Sequence, residues 1–179
     1  MVDYFPGQTL TKARQVYDGV VEGLSDIGFS VLAYTRGRFP VIAAVDLPLG
    51  YSSGTVATKV VNAVYDKFKP KELSDTQVMY LHAHGPGLIH TKGKAVRKIE
   101  DMKGLKFRVQ PIPLYVEMVK GLGAEPTPIA WSELPNALAT GVVDGQENPV
   151  GVIYNNKLHK LQKYMVLDGH VYAADFIII

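Results

Sequence analysis

The chain contains no cysteine, which excludes disulfide bridges, thiolate nucleophiles and cysteine-ligated zinc and fits either redox compartment. Net charge is nearly absent too: 19 Lys and Arg stand against 17 Asp and Glu, too small an excess for a general binder of nucleic acid. No apolar run reaches the roughly eighteen residues that suggest a membrane span. The first residues lack the basic-then-apolar pattern of an export signal. Missing as well are the glycine-rich loops that cradle phosphates and the Gly-x-Ser-x-Gly elbow of many hydrolases. Nothing in the sequence requires a cofactor.

What is present is a folding sequence of 179 residues, 47% hydrophobic and 20% charged, enough for one large domain or two small ones. Apolar residues from Ala13 to Leu24 recur at helical spacing, with Thr11 as the expected cap. Ile27–Tyr34 reads as a strand and Val41–Leu47 as a short buried one, while Val2–Phe5 is strand-like. Ser52-Ser53 opens a second helix with a Val56, Val60, Val64, Phe68 stripe, ending at Lys69-Pro70. Val78–Ala83 is the next strand, interrupted by His84-Gly85-Pro86-Gly87, after which Leu88–Thr91 resumes an extended path. From Lys106 onward strands and helices alternate: 106–109, a helix opened by Pro113, 125–129, and a helix capped by Ser132 and stopped at Gly141. This order predicts an α/β architecture. Beyond Pro149 a helix is expected over 150–157, then an extended segment over 166–172.

Two polar stretches stand out. Arg108 closes the strand Lys106–Val109 among apolar neighbours, and Asp144-Gly145-Gln146-Glu147-Asn148-Pro149 reads as a tight turn. An arginine keeps its charge in a protein, so a partly buried one needs an anion, and its planar fork fits a carboxylate. Two partners satisfy that need: an internal acid such as Glu147, or a ligand. Residues 92–108 carry seven Lys or Arg against two acids, a local excess that raises the potential beside an anion or simply forms a solvated face. Asn148, restricted by Pro149 to extended geometry, offers both a donor and an acceptor. Trp131 is the only tryptophan and fits a pocket wall or the core equally. Tyr51, at the mouth of the helix near Ser53, has the same two readings. His82, His84 and His90 suggest a metal or a general base, yet no acidic third ligand is set by spacing, so pocket lining by His84 or His90 and plain structural use are the stronger readings and no metal is assigned.

Three segments in order, Asp101–Val109, Leu122–Pro128 and Ala137–Pro149, resemble the extracytoplasmic substrate-binding proteins of tripartite ATP-independent periplasmic (TRAP) transporters of the DctP-like type. The resemblance runs over essentially the whole chain. It implies a two-lobed periplasmic-binding-protein-like α/β fold, here incomplete at both ends, with residues 1–84 in the first lobe, 85–170 in the second and 171–179 returning to the first. It implies capture of a small organic acid, a mono- or dicarboxylate, outside the cytoplasm, and delivery to TRAP membrane permease subunits, without catalysis and without nucleic acid. On the same resemblance Arg108 is the carboxylate-binding arginine, Asn148 its partner and Trp131 an aromatic wall, with Tyr51, His84 and His90 as further candidates. A second arginine used by sialic-acid-binding members falls on Leu88, which points to a less polar acid. The competing function is a hydrolase or lyase using His84 or His90 as base.

Overall fold

A computed structural model describes residues 1–35 and 37–179. The chain divides into two compact units, the first formed by Met1–Gly85 with Val171–Ile179 and the second by Pro86–His170. The first therefore draws on both ends of the sequence, and the second is continuous.

In unit 1 a three-stranded antiparallel sheet has the order β1, β8, β2, with β1 at Gly28–Val31, β2 at Val78–Ala83 and β8 at Ala174–Ile178. Helix α1 (Val16–Val21) lies by β1, and α3 (Gly54–Phe68) is tied to β2. Ser53 caps α3 by accepting from the Val56 amide at 3.2 Å. Thr58 Oγ1 then accepts from Ala83 N at 3.0 Å, and Asn62 Nδ2 donates to Leu81 O at 2.9 Å, so polar side chains on one helix face fix it against the strand. Gly54 permits this approach, since a Cβ there would stand 2.8 Å from His84 O. Tyr17, Phe39 and Phe176 meet edge-on or tilted in the core, with Tyr17 and Phe39 ring centroids 4.9 Å apart.

Several expectations are corrected here. Val41–Leu47 is helix α2 (Pro40–Ala43) followed by a 3-10 turn at Ala44–Asp46, and not a strand. Pro40 presets the helical φ, and the distant Glu72 carboxylate accepts from Val41 N at 3.2 Å and Ile42 N at 3.0 Å, filling the cap position from outside the segment. Thr11 does not cap α1, which follows a 3-10 turn at Ala13–Gln15 whose first amide is taken by Gln8 Oε1 at 3.0 Å. Val2–Phe5 is exposed and lies in no strand, and Leu32–Tyr34 is a 3-10 turn beyond the end of β1.

Unit 2 holds a mixed sheet in the order β5, β4, β6, β3, β7. These are Glu125–Pro128, Lys106–Val109, Gly145–Asn148, Gly87–Thr91 and Tyr164–Val171, the last residue of which belongs to unit 1. Strand β4 runs parallel to both β5 and β6, while β3 and β6 are antiparallel. Helix α4 (Pro113–Gly121) connects β4 to β5, α5 (Leu134–Thr140) connects β5 to β6, and α6 (Val150–Asn155) follows β6. Leu134, Ala137 and Leu138 of α5 pack with Val143, Ile153 and Leu158. Ser132 sits inside a 3-10 turn at Trp131–Glu133, so the cap position of α5 falls to Glu133.

The largest correction concerns Asp144–Pro149. It is not a tight turn: Gly145–Asn148 is β6, an interior strand, with all four residues buried. Asp144, just before β6, bonds across to the start of β4, its N donating to Lys106 O at 2.7 Å and its Oδ2 accepting from Lys106 N at 2.9 Å. The glycine serves a different purpose from turning. A Cβ at Gly145 would stand 2.5 Å from His90 O and 3.0 Å from the Phe107 ring, so the position accommodates neighbours on both sides.

Candidate ligand-binding site

Strand register gathers the polar residues of unit 2. Arg108 on β4 is opposite Gln146 on β6, Gln146 is opposite His90 on β3, and Asn148 is opposite Leu88. Because side chains alternate along a strand, Gln146 and Asn148 share one face, while Glu147 points to the other beside Ile89. The residue across from Arg108 is thus an amide and not the Glu147 carboxylate.

Arg108 is fully buried. Its Nε donates to Ile129 O at 2.9 Å, and its guanidinium carbon stands 5.9 Å from the centroid of the Trp131 ring. Trp131 reaches this place because Ile129 N continues the pairing of β5 with β4 by donating to Val109 O at 3.2 Å, and the 3-10 turn begins two residues later. Indole and guanidinium at this distance attract through the ring quadrupole.

Around Asn148 the hydrogen bonds form a circuit. Asn148 Nδ2 donates to Gln146 Oε1 in a short contact, Gln146 Nε2 donates to Gln162 Oε1 at 3.2 Å, and Gln162 Nε2 donates to His90 O at 3.2 Å. The His90 ring closes it, with Nε2 3.0 Å from Asn148 O. A carbonyl only accepts, so this nitrogen carries the proton. Burial pushes the His90 imidazole below its ordinary value, which keeps it neutral near pH 7.

Glu147 is buried on the opposite face, and its carboxyl is pushed up to about 7 by burial, against the opposing charges of His170 and Arg108 and a hydrogen bond from Gln110. Nearby, Asp168 accepts from Ile89 N at 3.2 Å and lies 2.6 Å from His170 Nδ1. Burial would raise the Asp168 carboxyl, yet His170 and the backbone donors outweigh it and hold it low.

The structure therefore brings Arg108, Asn148, Trp131 and His90 together in unit 2. Tyr51 and His84 belong to unit 1. Tyr51 packs edge-on to Tyr172 at 5.7 Å, and His84 Nδ1 lies 2.6 Å from Gly85 O, its ring held neutral by burial. His82 stacks on Tyr80 and lies 3.4 Å from Asp175. Among the described residues no three His, Asp or Glu side chains are grouped to hold a metal. Sequence reasoning overlooked Gln146 and Gln162. Gln146 was detectable as the residue two before Asn148, had the segment been read as a strand, whereas Gln162 carries no signal until its neighbours are known.

The sequence model of bacterial extracellular solute-binding protein family 7, DctP, matches residues 1–179. A solute-binding protein of Verminephrobacter eiseniae is 46% identical over 96% of this chain and 52% of its own length. The 2,3-diketo-L-gulonate-binding periplasmic protein of Escherichia coli is 29% identical over 98% of this chain and 54% of its own. Among solved structures, a marine metagenome TRAP solute-binding protein specific for aromatic acids, in complex with 3-hydroxybenzoate, aligns with TM-score 0.89 and 31% identity over 99% of this chain and 57% of that one. The chain spans about half the length of the curated relatives it matches, 52% and 53% for two of them. Matched along its full length, with an α/β fold shared with TRAP periplasmic binding proteins, the chain belongs to the DctP family of bacterial extracellular solute-binding proteins.

Proposed function

We propose that this chain captures an organic acid through its carboxylate, reversibly and without chemistry on the ligand, as the solute-binding component of a TRAP transporter outside the cytoplasm. The observation that carries the reading is the fully buried Arg108 guanidinium set in register beside the Gln146–Asn148 segment. A permanently charged fork next to a fixed amide complements a carboxylate, and the Trp131 ring supplies an apolar wall. Family relatives are solute-binding proteins and not enzymes. His84 and His90 each have a ring nitrogen within hydrogen-bond distance of a backbone carbonyl, which fixes the tautomer and direction of each ring.

Leu88 supports an acid with an apolar body. It is buried opposite Asn148, where a hydrocarbon wall favours a ring over a polyol. The similar structures hold 3-hydroxybenzoate, benzoate or mandelate in some cases and D-erythronate or L-gulonate in others. Isothermal titration against these five acids should rank the aromatic ones first. Replacing the guanidinium in Arg108→Ala should weaken binding by roughly 100-fold, the scale of a buried charge-assisted pair. Unchanged affinity in that variant would remove the assignment.

A further inference from the structure

We propose that Gln162 is a positioning residue, which fixes through Gln146 the direction in which Asn148 presents its side-chain amide. The proposal rests on the carboxylate-capture reading for its effect on affinity and on geometry alone for the relay itself.

The oxygen and nitrogen of an amide are alike in shape, so an isolated Asn or Gln can be turned either way. Here the choice is forced from one end. His90 O is a peptide carbonyl and can only accept, so Gln162 must turn its NH2 toward it, across 3.2 Å. Its Oε1 then faces Gln146, which must present its own NH2, again across 3.2 Å. Gln146 Oε1 is left facing Asn148, which completes the sequence by donating from Nδ2. Reversing any one member sets two acceptors or two donors against each other. Gln162 and Asn148 are each 7% exposed and Gln146 is 0% exposed, so water is poorly placed to relieve such a conflict.

His90 closes the arrangement from the other side. Its carbonyl orients Gln162, and its ring nitrogen holds the Asn148 carbonyl at 3.0 Å, so backbone and side chain of Asn148 are set by the same residue on the adjoining strand. Gln162 itself lies between the 3-10 turn at Leu158–Lys160 and β7, outside the β4 and β6 strands that carry Arg108 and Asn148. Its assigned role is to act through Gln146, without touching the ligand. Neighbouring hydrogen bonds in such a chain polarise one another, which makes the orientation cooperative.

The test uses the full 179-residue chain, with 3-hydroxybenzoate and D-erythronate as probes, and variants Gln162→Leu, Gln162→Glu and Arg108→Ala. In Gln162→Leu the Asn148 side-chain amide resonances should shift and broaden or double, although residue 162 is two hydrogen bonds away, and affinity should fall about tenfold, the weight of one buried hydrogen bond. Gln162→Glu supplies a rescue that a packing role would not show. Protonated glutamic acid donates to His90 O and accepts from Gln146 as glutamine does, whereas the carboxylate cannot donate, so the amide resonances and affinity should recover as pH is lowered. If Gln162→Leu does not fold, that pH titration decides alone. Asn148 resonances unchanged in Gln162→Leu, or insensitive to pH in Gln162→Glu, would overturn the relay. Loss of binding in Arg108→Ala with full affinity in Gln162→Leu would overturn its role while leaving carboxylate capture intact. Unchanged affinity in Arg108→Ala would overturn capture instead, and the amide spectra would then judge the relay.

Discussion

Asp46 and Asp175 of unit 1 are 1% and 6% exposed, and burial pushes each carboxyl up to about 7, with Asp46 adding to the rise at Asp175. One oxygen of Asp46 accepts from Ala174 N at 2.8 Å. Between about pH 4 and pH 7 the folded chain holds protons on these groups that the unfolded chain has released. Their stability contribution is therefore complete below about pH 4 and lost as pH rises through 7. Asp46→Asn keeps an acceptor for Ala174 and removes the charge, so it should melt higher than the parent at pH 8, with the gap closing at pH 4.5. Each kcal/mol moves the midpoint by roughly 2–4 °C in a chain of this size, and an equal difference at both pH values would refute the assignment. His82, His84 and His90 have the opposite dependence: burial holds them below their ordinary value, and their contribution is lost as pH falls below about 6.5. The need of Arg108 for an anionic environment was legible from its charge and its apolar neighbours. The amides of Gln146 and Gln162 were not, because an uncharged group that both donates and accepts announces no partner until the strands are placed.

Strand β6 depends on having no side chain at its first position. Gly145→Ala would force a Cβ onto His90 O, 2.5 Å away in the backbone of the neighbouring strand, and should cost about 2 kcal/mol or more in urea unfolding. Gly141→Ala is a useful contrast. That residue ends α5 at φ 76° with nothing near its missing Cβ, so the cost should be about 1 kcal/mol from backbone strain alone. Ser53→Ala should also cost about 1 kcal/mol by uncapping α3. These contrasts explain which elements could be read in advance. β2 and β4 match the sequence reading residue for residue, and α3 was recognisable from its cap and stripe, because local pattern and tertiary role agree there. Residues 144–149 misled because Asp, Gly and Asn carry turn chemistry, which their burial between β3 and β4 overrides. Val41–Leu47 misled because its cap comes from Glu72, thirty or more positions on, beyond the reach of any local pattern.

Unit 2 is one continuous stretch, whereas the sheet of unit 1 is completed by residues 174–178 lying between β1 and β2. A chain ending at Val171 should keep the dispersed amide spectrum and exchange protection of residues 86–170 and lose those of 28–31 and 78–83. Protected amides in β1 and β2 of that shortened chain would contradict the topology. α3 would then keep its hydrogen bonds to a β2 that has lost its β8 partner.

The place of β8 also sets a schedule. A chain made from its amino end has β1 and β2 early, but neither pairs with the other, and each waits for a strand not yet synthesised while unit 2 has all its residues in hand. Through that interval each lacks its β8 partner, and between them they carry Phe29, Met79 and Tyr80, which are exposed in this structure. β1 and β2 thus pair only after unit 2 has been made, and the wait for the strand between them is when they are most open to wrong partners.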